Sequence, residues 1–257
     1  MPASLTLPVG LLYGFLLVLA RIGGALVFVP LPGAGAVLAP ARVALALGFT
    51  LSLASRWPVL AGPAPTMGVL LAWLAREAAL GMAVGVAVGI VLEAFAVAGQ
   101  IMGTPAGYGY ASTIDPNTEA DSGVLLVFAR LVAGLLFFAL GLDREVLRLF
   151  AESLVRIPPG GYSPGLPAAE ALARLGAELF RSGLRLALPV AGLLVMVDVS
   201  LALVGRLNSQ LQLLSLAFPL KMLTALAVLG WIAGLVPRVM LQLAALAWAA
   251  LERVMGA

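Results

Sequence analysis

The sequence predicts an all-α membrane protein built from hydrophobic helical hairpins, and three observations lead to this fold class. Hydrophobic residues make up 62% of the 257 positions and charged residues only 11%, whereas soluble proteins average about 25% charged residues. The mean hydropathy is +1.11. The apolar residues also fall into long runs, separated by short stretches rich in proline and glycine. We therefore expect a single integral membrane domain over residues 1–257.

Six to seven hydrophobic helical segments can be placed along the chain. They cover residues 5–29, 37–55, 67–98, 122–142, 184–205, 211–236 and 239–251. Connections rich in proline and glycine separate the first three segments, at 30–40 and 58–65. Because these connections are short, successive helices should form antiparallel hairpins.

The most polar part of the chain is the region 143–185. Two amphipathic helices are predicted there, at 143–155 and 168–180, and Glu170, Arg174 and Glu178 follow one another at four-residue spacing in the second. A Pro-Pro-Gly-Gly sequence at 158–161 divides the two helices. The positive-inside bias predicts that this arginine-bearing region lies on the cytoplasmic side of the membrane.

Composition and missing motifs argue against an enzyme. The chain has no cysteine and no histidine, which removes thiolate chemistry, the commonest metal ligand and the commonest general base. No nucleophile elbow, zinc-protease motif, P-loop or dinucleotide fingerprint occurs. We expect no catalytic site, no metal and no cofactor. Nucleic acid is not expected as a partner either, because the net charge of +3 comes from basic residues spread along the chain.

The third segment carries two glutamates and three glycines at strict four-residue spacing. A glutamate within an apolar helix raises the free energy of membrane insertion by about 2.5–3.5 kcal/mol, taking the value for aspartate. Small residues at this spacing let another helix approach closely, so this face is predicted to pack against a neighbour that covers the carboxylates. A proton relay is the alternative. The predicted helix-packing face consists of Glu77, Gly81, Gly85, Gly89 and Glu93.

Five further charged residues lie in or beside apolar segments. Charges at membrane depth are functional candidates by default, but contact with water or a partner subunit explains them if part of the helical assembly stands outside the bilayer. We favour structural pairing, for example of Asp198 with an arginine from another helix. These intramembrane or subunit-interface charges are Arg21, Arg130, Asp198, Arg206 and Lys221.

An apolar but irregular segment follows the third helix. Residues 94–114 carry no charge, which is long enough for a membrane span, yet glycine and proline recur too often for a regular helix. Irregular backbone at membrane depth is tolerated only where protein buries it or where it lines a cavity. The segment therefore suggests a loop within a pore, although its tyrosines could also be aromatics of the membrane interface. The predicted plug loop includes Gly103, Pro105, Gly107, Tyr108, Gly109, Tyr110, Asp115 and Pro116.

Several short motifs occur in an order that resembles the FliR family of flagellar export-gate proteins and its virulence-secretion homologues. In the first half these are Arg21-Ile-Gly-Gly24, Pro30, Pro40-Ala-Arg42, Ala98-Gly-Gln-Ile-Met-Gly103, Gly107 and Asp115-Pro116. In the second half they are Leu136-Phe137, Ser153, Pro158-Pro-Gly160, Leu188-Pro189, Arg206 to Gln210 and Phe218-Pro-Leu-Lys221. Together they cover nearly the whole chain. The chain departs from the family pattern at Gln100, Asp143 and Ser209.

The resemblance implies a non-enzymatic subunit of a type III export gate in the bacterial inner membrane, at a flagellar or injectisome basal body. It implies assembly with FliP- and FliQ-like subunits around a conduit for unfolded protein substrates, and contact with FlhB- and FlhA-like export components. The loop corresponding to 103–115 would help to seal the closed gate.

Two other classes of function stay open at this point. A proton-coupled secondary transporter of a small solute would use Glu77, Glu93 or Asp198 as its titrating group. A membrane scaffold without any conduit would need only the packing face.

Overall fold

The computed structural model describes residues 9–29, 39–58, 65–107, 123–158, 160–207 and 213–256, and every regular element within these ranges is helical. The all-α fold class is therefore confirmed. The α-helices, in chain order, are α1 (Val9–Phe28), α2 (Ala39–Ser52), α3 (Met67–Gly103), α4 (Val124–Ala139), α5 (Leu142–Arg156), α6 (Leu166–Leu207), α7 (Leu213–Ile232) and α8 (Val236–Val254). Short 3₁₀ turns lie at Ala54–Arg56 and Ala233–Leu235.

Four helical stretches in the described residues are long and apolar enough to cross a membrane, and a fifth is added if α4 and α5 count as one broken span. The sequence pattern predicted six to seven apolar segments. The numbers differ because α2 and α4 have only 14 and 16 residues, fewer than the roughly 20 that a spanning helix needs. The last two predicted segments also join in one stretch, Ala217–Val254.

Helix α6 is one continuous element where the sequence predicted two helices, at 168–180 and 184–205. Gly183, which falls between the two predicted ranges, lies inside the helix. A Cβ at Gly183 would come within 2.9 Å of the carbonyl oxygen of Ala94 on α3. Gly183 is therefore needed for close approach between two helices. Pro189 also lies inside α6, where its missing N–H removes one hydrogen bond without ending the helix.

The chain forms two compact units. The first contains Met1–Ile90, Gly141–Leu175 and Leu246–Ala257, and the second contains Val91–Leu140 and Gly176–Ala245. Leu17, Leu80 and Leu251 are completely buried in the first unit. Leu194 and Met240 are completely buried in the second. Each unit therefore has a hydrophobic core of its own.

Helices α1 and α2 pack against each other in the first unit. After the 3₁₀ turn at Ala54–Arg56, the chain returns to α1 through Trp57. The indole Nε1 of Trp57 donates a 2.9 Å hydrogen bond to the carbonyl oxygen of Thr50, and its ring lies 5.2 Å from the ring of Phe15, centroid to centroid. This contact closes the first helical hairpin.

Candidate functional site

A buried ion pair joins α1 to α3 in the first unit. The Nε of Arg21 donates a 2.6 Å hydrogen bond to Oε2 of Glu77, and each side chain is only 1% exposed. Removing two charges from solvent costs several kcal/mol per ion, which is recovered only with good geometry and further hydrogen bonds. The environment of this pair therefore has to supply those bonds.

Three additional hydrogen bonds complete the pair, and all of them reach the end of α5 and the turn that follows it. Arg21 donates from Nη1 to Oγ of Ser153 at 2.9 Å and from Nη2 to the carbonyl oxygen of Ile157 at 3.1 Å. The second carboxylate oxygen of Glu77 accepts a 2.9 Å hydrogen bond from the backbone N–H of Gly160. We call the set Arg21, Glu77, Ser153, Ile157 and Gly160 the buried clamp. Both oxygens of Glu77 are occupied, so the clamp holds structure together and offers no open acid or base.

The conformation of Gly160 is required by its place in the buried clamp. Its φ of +77° lies in the left-handed region, which side chains other than glycine adopt at a cost. A Cβ on Gly160 would also collide with the indole ring of Trp73 on α3. The carbonyl oxygen of Gly160 accepts a 3.0 Å hydrogen bond from Arg76. The turn is thus held on α3 through both its N–H and its C=O.

Glycines allow α1 and α3 to cross at van der Waals distance next to the clamp. A Cβ at Gly81 would overlap the carbonyl oxygen of Arg21, and a Cβ at Gly85 would overlap that of Ala25. In the reverse direction, a Cβ at Gly24 of α1 would overlap the carbonyl oxygen of Ala78. Gly89 is buried farther along α3. This close approach brings Arg21 within reach of Glu77.

Glu93 has a different environment from Glu77. It lies in the second unit, where both of its carboxylate oxygens are 3.3 Å from Nη2 of Arg130 on α4. The two side chains are 40% and 55% exposed. Each four-residue step on an α-helix rotates a side chain by about 40°, so sixteen residues turn it by about 160°. The two glutamates therefore point to different neighbours.

A second ion pair in the second unit connects α6 and α7, between Asp198 and Lys221. The partner of Asp198 is thus the single lysine of the chain and not an arginine, the example named above. Lys221 is 17% exposed and Asp198 is 45% exposed at the side chain. Arg206 lies exposed in the last turn of α6.

The beginning of the predicted plug loop is described, and the remainder is not. Gly103 is the last residue of α3, and Thr104 to Gly107 form turns after it. Gly107 has a φ of +82°, and a Cβ there would lie 3.0 Å from Cδ1 of Phe218 on α7. Pro105 is half-buried in this turn. The rest of the predicted loop, which comprises Tyr108, Gly109, Tyr110, Asp115 and Pro116, lies outside the described residues.

The sequence indicates Arg21 and Glu77 as charges in apolar segments but does not predict that they pair, and it assigns no role to Ser153, Ile157 or Gly160. The available signal was the Ser153 and Pro158-Pro-Gly160 motif in a polar region, together with an arginine in the first apolar segment. Among the described residues, no group of three or more acidic side chains could hold a metal ion. The geometry fits ion pairs that hold neighbouring helices together.

These features define an α-helical integral membrane protein whose helices are joined by buried and half-buried ion pairs. The chain belongs to the bacterial export proteins, family 1, because the model of that family matches residues 12–247. It is a membrane-embedded protein of the FliR family, as the ordered motifs indicated.

Curated relatives are similar over most of their length. The chain is 28% identical to the flagellar biosynthetic protein FliR of Escherichia coli (strain K12) over 192 residues, which is 74% of each chain. It is 29% identical to the FliR protein of Pectobacterium carotovorum over 199 residues, or 76% of each chain. For the FliR protein of Caulobacter vibrioides the identity is 26% over 215 residues, covering 83% of this chain and 86% of the relative.

Proposed function

We propose that this chain is a non-enzymatic subunit of a flagellar or type III protein export gate in the bacterial inner membrane, at the basal body. The match to the export family over residues 12–247 carries the proposal. In it, the whole chain serves as one export-gate domain that assembles with FliP- and FliQ-like subunits around a conduit for unfolded proteins. FlhB- and FlhA-like export components would be further partners.

The exposed helices support a role inside a larger assembly. In the span Met67–Gly103, 72% of the most apolar window is buried within the chain, but the share is only 17% in Leu166–Arg206 and 11% in Ala217–Val254. The half-exposed pair of Asp198 and Lys221 lies within these last two spans. Exposed charges are costly in lipid. Partner proteins are therefore better surroundings than lipid for the face that carries Asp198 and Lys221.

The charge pairs weigh against the transporter alternative. Each carboxylate considered for proton coupling has a cationic partner: Glu77 has Arg21, Glu93 has Arg130 and Asp198 has Lys221. Both carboxylate oxygens of Glu77 accept hydrogen bonds, one from Arg21 and the other from the N–H of Gly160. This pattern favours structural pairing.

Co-purification tests the subunit assignment. The tagged chain would be extracted from native membranes in a mild detergent and its partners identified by mass spectrometry. We expect two small hydrophobic partners in a large stable complex. Recovery as a lone monomer or homodimer would contradict the gate proposal. The transporter alternative would then be tested in liposomes, where it requires solute movement that Glu93→Gln abolishes without loss of the fold.

We also propose that the segment 103–115 acts as a plug. Its apolar, glycine-rich sequence and its start in a turn against Phe218 support this role. Deletion of residues 107–111 should make the assembled gate leak ions or small solutes, measured as release of a small dye from vesicles that contain the complex. The control is Gly23→Ala, because a Cβ at Gly23 meets no atom within 4 Å. A tightly sealed membrane with the deletion, at equal yield of complex, would refute the plug.

A further inference from the structure

A large apolar cavity lies entirely within the second unit. Its volume is about 450 Å³, and its walls come from α3, α4, α6, α7, the second 3₁₀ turn and α8. Phe95, Met102, Leu125 and Ile232 line it and are each no more than 5% exposed. The volume falls in the range of ligand pockets, about 300–1,000 Å³. None of the ion pairs of the candidate site supplies a lining residue.

An apolar occupant is required to fill this space. An engineered apolar cavity of about 150 Å³ stays dry and takes up benzene or xenon, because a buried water needs two to four polar partners. The present cavity is about three times as large, and nearly all of its lining is aliphatic or aromatic. Water is therefore a poor occupant.

The dimensions of the cavity decide between the apolar occupants. An α-helix with its side chains is about 10–12 Å across and rises 5.4 Å per turn, so a single turn fills about 420–610 Å³. A partner helix could place no more than about one turn in this volume, so the cavity is too small to hold a helix along its length. A thin, flexible hydrocarbon chain fits the same volume.

The opening of the cavity points to the source of that chain. Phe128 and Leu226 line the cavity and are 55% and 54% exposed, so they mark its mouth. The lining residues of α3, α6, α7 and α8 belong to helical stretches that can cross a bilayer. Where such stretches cross a bilayer, the surrounding medium is lipid hydrocarbon. We propose that this cavity binds one acyl chain of a membrane phospholipid.

Photolabelling of the full-length chain tests the proposal. The protein is placed in vesicles of phosphatidylethanolamine and phosphatidylglycerol with a trace of phosphatidylcholine that carries a diazirine in its acyl chain. After irradiation, adducts are mapped by mass spectrometry. We expect labelling of the buried residues Phe95, Met102 or Leu125, in addition to the exposed Trp231. Labelling of Trp231 alone would overturn the proposal. This test uses the unmutated protein.

A matched pair of glycine variants makes the test specific. Gly230 lines the cavity and Gly192 does not, yet both are helical and a Cβ at either one meets no atom within 4 Å. Gly230→Leu should lower labelling of the buried residues about tenfold, since it displaces roughly two buried methylenes of the acyl chain. Gly192→Leu should leave it unchanged. Equal labelling in both variants would overturn the proposal.

The same labelling in native membranes separates lipid from a partner protein. If the buried residues are labelled in the isolated chain but not in the complex formed in native membranes, side chains of a partner fill the cavity and the acyl-chain proposal fails. Labelling in both preparations supports it.

Discussion

Breaking the ion pair between Arg21 and Glu77 should destabilise the protein far more than removing both charges together. Arg21→Met leaves a buried carboxylate with one remaining hydrogen bond, from the N–H of Gly160. Glu77→Gln leaves a buried guanidinium without a counter-charge. Removing one partner of a buried pair costs about 3–5 kcal/mol, so the two single changes sum to about 6–10 kcal/mol.

The double variant, Arg21→Met with Glu77→Gln, buries no charge. The amide oxygen of the new glutamine can still accept from the N–H of Gly160, and Ser153 keeps its 2.8 Å hydrogen bond to the carbonyl oxygen of Phe150. The main loss is the partner of the Ile157 carbonyl, which costs about 1–3 kcal/mol. The double variant should therefore lose at least about 3 kcal/mol less stability than the two single variants lose in total.

The measurement is the free energy of unfolding in mild detergent, from sodium dodecyl sulfate titrations followed by far-ultraviolet circular dichroism. Glu145 and Arg148 provide the matched control, since they form an exposed i,i+3 pair on α5 with side chains 46% and 71% exposed. The corresponding cycle there should stay within about 0.5 kcal/mol at every step. Additive effects of Arg21→Met and Glu77→Gln would refute the reasoning.

Three further results are expected from changes in the same unit. Gly81→Ala should destabilise the protein because its Cβ would meet backbone of α1, whereas Gly23→Ala has open space and should stabilise by about 0.5–1 kcal/mol; thermal unfolding of the two variants compares them. Gly160→Ala should cost about 1–3 kcal/mol from strain at φ +77° alone, and its collision with Trp73 should alter tryptophan fluorescence. Burial raises the pKa of Tyr162 above 10.0, so its neutral form stabilises the fold below pH 10, and that stabilisation is lost as the pH rises through the raised pKa. In an absorbance titration Tyr162→Phe should remove a phenol step that lies above pH 10; loss of a step near pH 10 instead would refute the burial argument.

The fold class can be predicted from the sequence because hydrophobic composition, and the glycine and proline residues that end helices, determine structure over short stretches of the chain. The break after α4 coincides with Gly141, whose φ is +71°, and the predicted helices at 122–142 and 143–155 agree closely with α4 and α5. The continuity of α6 could not be predicted, because a glycine that ends a helix and one that packs against a neighbour look the same in sequence. Gly183 belongs to the second kind only because Ala94 lies beside it.

The candidate site could be predicted only in part, for a related reason. Four-residue spacing places Gly81 and Gly85 on one face of α3, but it does not say which helix approaches that face. The hydrogen bonds from Arg21 reach across 132 residues to Ser153 and 136 residues to Ile157. No local periodicity encodes partners at that distance. The ordered motifs of the family contain these positions without revealing that they touch.

The buried clamp has a consequence for how the protein enters the membrane during synthesis. Arg21 is made 56 residues before Glu77 and 136 residues before Ile157. When α1 first leaves the ribosome, its arginine has none of these partners, and an arginine at the centre of an inserting helix costs about 2.5–3.5 kcal/mol. The twelve Leu, Ile, Val and Phe residues of α1 return about 3.6–7.2 kcal/mol on the same scale. α1 should therefore insert alone with a reduced margin, and the margin should recover once α3 brings Glu77 to the arginine.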